Sequence, residues 1–327
     1  MRTLFRILGL SAVAAFLILP GRAQTTPSQS HTTPNPAHNE DEANALFQRF
    51  LETYETDQST AYKIAKECVQ KYPQESDQIK YLKRWVDRYD ARMKVLRKAH
   101  LKKLIEERSF TEAFALGREI VASEPQDVGT LFTLIDGGLF ALSSGNTTFV
   151  PDASDYAKRA LKLIESNRAW PESRGKNLGW LNYTLGIFLL TSAPTEAANY
   201  LYKAMQFEPF NLDASIYALL ADALLGAQYI PIQQEFEARF KTYAQKLSLQ
   251  AEPLRAKLNL AADHLIQALA RAVALAGSNA KFAQAKAVWL KDLTELYKFR
   301  NSGYETGLSE YIEAALDKPL RSDILRF

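Results

Sequence analysis

A repeated beat of alanine and proline constrains the fold of this 327-residue chain more than any other feature. Pro73, Pro125 and Pro209 each follow an alanine by twelve residues, namely Ala61, Ala113 and Ala197. Five residues before each proline stand Cys68, Ile120 and Ala204, again small or apolar. The windows TAYKIAKECVQKYP, TEAFALGREIVASEP and TEAANYLYKAMQFEP therefore each read as an amphipathic helix ending near its proline. Proline stops a helix because it has no N–H and restricts the residue before it. Alanine at a fixed place in such a helix fits a crossing too tight for a larger side chain. From about Glu42 onward the periodicity is helical, and no Asn-Gly or Asp-Gly turn joins alternating strand-like runs. Asp136-Gly137 lies inside Leu131–Leu142, which has helical spacing. The expected class is all-α.

With these marks the chain resembles the tetratricopeptide repeat (TPR) family, whose helix-turn-helix unit has a small residue in its second helix and a proline after it. Asn182–Leu189 followed by Thr195–Pro209 is the best match. Leu185-Gly186 stand at the family's paired Leu-Gly, Ala197 and Ala204 at its small positions, and Pro209 at its terminal proline. Ser109-Phe110 match the turn that opens a second helix. Tyr217, Leu220, Ala221 and Leu224 look like another first helix, and Asp155–Ile164 around Ala157 like another second helix. The family period is about 34 residues. Here Ala61 to Ala113 is 52 residues, Ala113 to Ala157 is 44 and Ala157 to Ala197 is 40. A long helix from Asp77 to Glu107 accounts for the first excess, and a loop insertion, Ser143–Asp152, for the second. The unit after Asp213 has Phe236 and Phe240 where a small residue is expected. The resemblance spans roughly residues 42–247 and implies an α-solenoid of antiparallel helix pairs. An unrelated helical bundle is the other reading.

Residues 248–327 read as a helical extension packed on that array. Leu254, Leu258, Ala261, Leu265, Leu269 and Ala272 form one stripe of a helix Pro253–Ala276, closed by Gly277. Ser278 is placed to cap the next helix, which carries Phe282, Trp289, Leu293, Leu296 and Tyr297. A last helix, Leu308–Leu316, stops before Pro319. Charges opposite the stripe suit these helices to cap the array, since a terminal repeat needs a polar outer face.

The N-terminus sets the compartment. Arg2 and Arg6 precede an uncharged apolar run, Ile7–Leu19, and small residues lead to a cut after Ala23. This is the layout of a secretory signal peptide over residues 1–23. The run is shorter than the ~20 residues a spanning helix needs, although an uncleaved anchor stays open. Residues 24–41 lack any aliphatic side chain larger than alanine and read as a disordered spacer. No later segment reaches spanning length, and Thr184–Thr191, the most apolar piece, reads as a buried helix. The mature chain is expected to be secreted or periplasmic. Its charge then balances: the 40 basic residues lose Arg2, Arg6 and Arg22, leaving 37 against 37 acids. No global basic excess invites nucleic acid.

Catalytic constellations are scarce. The single cysteine, Cys68, sits at a repeat core position and reads as an inert buried thiol. His31 and His38 lie in the spacer, and neither His100 nor His264 has ligand spacing around it, so no metal or cofactor is expected. No phosphate-binding glycine motif occurs, and Gly137-Gly138 suit close helix packing. Glu310 and Glu313 share a helical face and suit either solvated helix or acid–base work, if one were buried. Lys94, Lys98 and Lys102 line one side of the long helix, either as a cationic strip for a carboxylate or phosphate or as a solvated face balanced by Asp87, Asp90, Glu106 and Glu107. Trp180, Tyr183 and Ile187 form a row that either packs in the core or, as the resemblance implies, faces the groove lined by first helices. Asn146-Thr147-Thr148 is formally a glycosylation sequon.

The expectation is an exported, non-catalytic scaffold that holds a protein or peptide partner in its concave groove. Its alternatives are a cell-envelope enzyme, such as a glycan-cleaving protein using Glu310 or Glu313, and a purely structural module.

Overall fold

The structure is a computed structural model that describes residues 36–73, 76–167, 173–321 and 323–325. The leader and most of the spacer lie outside the described residues. Among those described, every regular element is helical and no strand occurs. The chain divides after Asp90 into two compact units.

The first unit holds α1 (Pro36–Thr53), α2 (Gln58–Lys71) and the first part of α3 (Asp77–Glu106). α1 starts at Pro36, so the last residues of the segment read as spacer are helical. Asp57 starts α2 by accepting from the Ser59 and Thr60 amides at 3.1 and 3.0 Å. The buried side of this unit is Phe50, Ala61, Ile64, Ala65, Cys68 and Leu82. Phe50 meets Trp85 edge-on at 5.0 Å, and Tyr62 stacks on Tyr89 at 4.6 Å.

The second unit continues through α4 (Phe110–Ser123), α5 (Val128–Ser143), α6 (Val150–Ser166), α7 (Arg174–Leu189), α8 (Pro194–Ala204), α9 (Ala214–Leu224), α10 (Ile230–Arg239), α11 (Tyr243–Lys246), α12 (Glu252–Ala276), α13 (Ala283–Arg300) and α14 (Leu308–Glu313). From α4 to α9 each helix packs on the next in sequence. Asp127 and Asp213 cap α5 and α9 through the Thr130 and Ser215 amides. Proline also opens helices: α6, α8 and α12 have Pro151, Pro194 and Pro253 in the first turn, where its missing N–H costs nothing.

The alanines of the beat are at the tight places. Ala61, Ala113, Ala157 and Ala197 are all fully buried, as are Cys68 and Ala204. Glycines do the same work. A Cβ on Gly138 of α5 would overlap that of Ala153 on α6, and one on Gly186 of α7 would meet Leu201 on α8. Several expectations need correction. Val150, Pro151 and Asp152 belong to α6, so the expected loop is shorter. α8 ends at Ala204, well before Pro209, because the chain turns through a 3₁₀ segment, Phe210–Leu212. Asn279, not Ser278, accepts from the Lys281 amide to open the turn into α13. The last helix closes at Glu313.

Two corrections concern how the second unit is built. Beyond α9 no separate second helix starts: a π turn, Leu225–Tyr229, joins α9 to α10. The resulting run, Ala214–Arg239, is long and apolar enough to cross a membrane, at mean hydropathy 1.3, contrary to the expectation that no such segment follows the leader. Half of that window is buried, with α8 and α12 packed on α9, which is the surrounding of a core helix. α12 was expected to be a cap with a polar outer side. Instead Ala262, His264, Ile266, Ala268, Ala270 and Val273 are buried beside the expected stripe, because α9, α10, α13 and α14 surround it. Gly277 ends it with φ +49°, a conformation L side chains rarely adopt.

Candidate functional site

The candidate site is the half-exposed side of α5, α7 and α9. α7 buries Leu178, Leu181, Leu185 and Phe188 and leaves Trp180, Tyr183 and Ile187 half-buried at helical spacing. Trp180 and Tyr183 each pack on a neighbouring ring and, like Ile187, keep part of the side chain open to solvent. The Trp180 rings contact Phe132 of α5, with centroids 5.0 Å apart. Tyr183 contacts Phe210 at 6.1 Å. Burial pushes the Tyr183 hydroxyl up, the Asp213 charge adds to this, and Ser215 partly offsets it. Asp213 and Ser215 begin α9, so α7 lies between α5 and α9 on this side.

Two carboxylates join the row. Asp136 follows Phe132 by one turn of α5, and Asp222 follows Ser215 by two turns of α9. Both are exposed, yet enough protein surrounds them to disfavour the charged form. Burial raises Asp136. Burial, with Asp292 of α13 adding a like charge, pushes Asp222 up to about 6. A carboxyl raised above its unfolded value of about 3.9 binds more protons in the folded chain, so stability falls as pH rises through that window. Asp222→Asn is therefore expected to raise the Tm at about pH 8 and to leave it unchanged at about pH 3.5. Solvent reaches the carboxylate, so the gain stays under about 1 kcal/mol. Calorimetry that finds a lower Tm at the higher pH would refute this assignment.

The lysine row is not an open cationic strip. Lys98 Nζ lies 2.7 Å from Glu124 and 2.8 Å from Asp127, and Lys94 lies 3.7 Å from Glu124. Arg97 pairs with Glu119 at 2.7 Å, and Lys102 with Glu106 at 3.9 Å. The balancing acids come mainly from the end of α4 and the turn after it, which sequence distance concealed. The pairing to Lys98 holds Glu124 below the usual carboxylate range. For Asp127 burial acts upward, but Lys98 and Thr130 outweigh it.

The catalytic candidates are not assembled. Glu310 and Glu313 are both exposed on α14, so neither is the buried acid that glycan cleavage requires. Glu310 lines an open cavity of about 290 Å³ with Gln267, Tyr311 and Lys318. Cys68 is fully buried and burial pushes its thiol up, which leaves little thiolate. His264 is buried too, with Nδ1 3.2 Å from Gln228 Oε1 and Nε2 3.5 Å from Asp323. Among the described residues no three His, Cys, Asp or Glu side chains are placed to hold a metal ion.

Asp136 and Asp222 were missed in the sequence. A signal existed, since each is a single charge in an otherwise uncharged helical stretch. No family model, curated protein or solved structure matches the chain.

Proposed function

We propose that the chain is an exported, non-catalytic scaffold of TPR-like helix pairs that binds a partner protein on the α5, α7 and α9 side. The sequential packing of α4 to α9 and the buried alanines support the repeat reading, because a repeat array packs each unit on its chain neighbours. Export rests on the leader-like N-terminus.

The observation that carries the binding reading is the row of Phe132, Trp180, Tyr183 and Ile187. It places half-exposed aromatic and aliphatic side chains side by side on a surface with little charge. Such groups are the usual anchors of protein interfaces. Trp180→Ala is expected to weaken a partner recovered by cross-linking from the native envelope by about 30-fold, as loss of a ~2 kcal/mol anchor implies. Helical circular dichroism should stay the same. Unchanged affinity in both Trp180→Ala and Tyr183→Ala would end the reading.

A further inference from the structure

The loop between α10 and α12 turns its largest apolar side chains outward. Tyr243 and Leu247, at the start and end of α11, are 79 and 57% exposed. Leu249, which opens the 3₁₀ turn Leu249–Ala251, is 92% exposed. The loop is nonetheless held in place. Phe240 packs on the buried Phe236, with ring centroids 5.3 Å apart, and Ala251 is fully buried. The Gln245 amide donates to Thr242 Oγ1 at 3.2 Å, and the Thr242 amide to Gln245 Oε1 at 3.0 Å, which caps α11 reciprocally. Arg255 of α12 donates to the Lys246 carbonyl at 2.9 Å. Between Glu237 and Glu252 the chain carries Arg239, Lys241 and Lys246 and no acid. The acids that border this stretch are engaged: Glu235 with Arg239 at 2.7 Å, Glu237 with Gln233 at 3.3 Å, and Glu252 with Arg255. Among the described residues the exposed Lys241 and the half-exposed Lys246 have no ion pair.

We propose that this loop seats the protein on the surface of a bilayer that carries anionic phospholipid headgroups. Leu247 and Leu249 enter the acyl boundary, Tyr243 lies at headgroup level, and Lys241 and Lys246 meet the phosphates. Apolar surface thereby leaves water, while each ammonium group stays hydrated beside opposite charge. Because the backbone is already capped and anchored, docking orders little chain and little entropy opposes it. Three side chains do not span a membrane, so the contact is peripheral and weakens with salt. Lysine is depleted where two proteins meet, whereas segments that lie on membranes combine it with leucine and aromatic residues, which favours lipid as the occupant. The inference is independent of the aromatic row and of its partner.

The test is flotation of the full chain with vesicles of phosphatidylcholine, alone or mixed with phosphatidylglycerol. Wild type is compared with a triple variant, Tyr243→Ser with Leu247→Ser and Leu249→Ser, and a double variant, Lys241→Gln with Lys246→Gln. Residues 1–23 are the same throughout, so a difference between variants is set by the loop. Wild type should prefer the mixed vesicles, and each variant should bind them about tenfold less at low salt, with helical circular dichroism unchanged. A polarity-sensitive dye attached in a Leu249→Cys variant should shift to the blue on mixed vesicles; Cys68 is fully buried and stays unlabelled. Dye emission that does not move overturns the proposal, as does equal flotation of wild type and the triple variant. Equal binding to both kinds of vesicle overturns it too, because the lysines then select nothing. Sedimentation showing a dimer that the triple variant dissociates would put a second copy on the loop. Cross-linking from Lys241 to another protein, without vesicle binding, would put a protein partner there. Either result also overturns the proposal.

Discussion

Gly138→Ala will destabilise the chain by about 2 kcal/mol, although alanine is the better helix former by about 1 kcal/mol. The added Cβ would overlap the Cβ of Ala153 and come within 3.2 Å of Phe188. A methyl against a methyl has no rotamer to retreat into, so α5 and α6 must move apart. That motion disturbs Leu134, Ile135 and Ala157, which are fully buried. Cores packed to crystal density transmit such strain rather than absorb it. The contrast within the same helix is Gly129, where a Cβ meets only Asp127 Oδ1 at 3.5 Å. Gly129→Ala should leave stability unchanged or raise it by a few tenths of a kcal/mol. Urea denaturation of both variants decides the matter. Equal midpoints would refute the tight crossing of α5 and α6.

The second large effect lies at the other end of the chain. Ile324 is fully buried, and its carbonyl accepts from Gln228 Nε2 at 2.9 Å. Gln228 in turn meets His264, so the tail closes over two buried polar side chains of the π turn and α12. Arg271 donates to the Leu316 and Lys318 carbonyls at 3.2 and 2.9 Å. Gln267 donates to the Pro319 carbonyl and accepts from the Arg321 amide. Ile324→Ala is expected to cost about 3 kcal/mol through the cavity it leaves. A chain ended at Lys318 should lose more, because Gln228 then keeps a buried donor without its acceptor. Hydrogen exchange in α12 is the sensitive reading. If its protection is the same in wild type and Ile324→Ala, the tail is a surface ornament.

Fold class was legible because helix formation is largely local. Apolar spacing, Asp57, Asp127 and Asp213 as caps, and glycine or proline at ends can all be read within a few residues. The buried alanines were legible for a related reason: a tight crossing repeated at one spacing leaves a repeated letter. Proline misled where its context was ignored. The same residue that stops a helix also suits its first turn, which is why Val150–Asp152 were misplaced. The site was half legible. Trp180, Tyr183 and Ile187 showed as a row, but only packing decides how much of each ring remains open.

Charge pairing was the least legible property. Lys98 is 26 residues from Glu124, and no local rule joins them. Asp136 and Asp222 are inconspicuous as letters, and their environment comes from helices distant in sequence. The sequence by itself determined where the chain coils and which small residues face inward, since both follow from backbone and side-chain preferences over a few turns. Only the tertiary structure decided that α12 is enclosed, that the tail seals it, and that the lysines are paired while two aspartates are not. Burial and electrostatics depend on distance in space, and helices close together in space here are far apart along the chain.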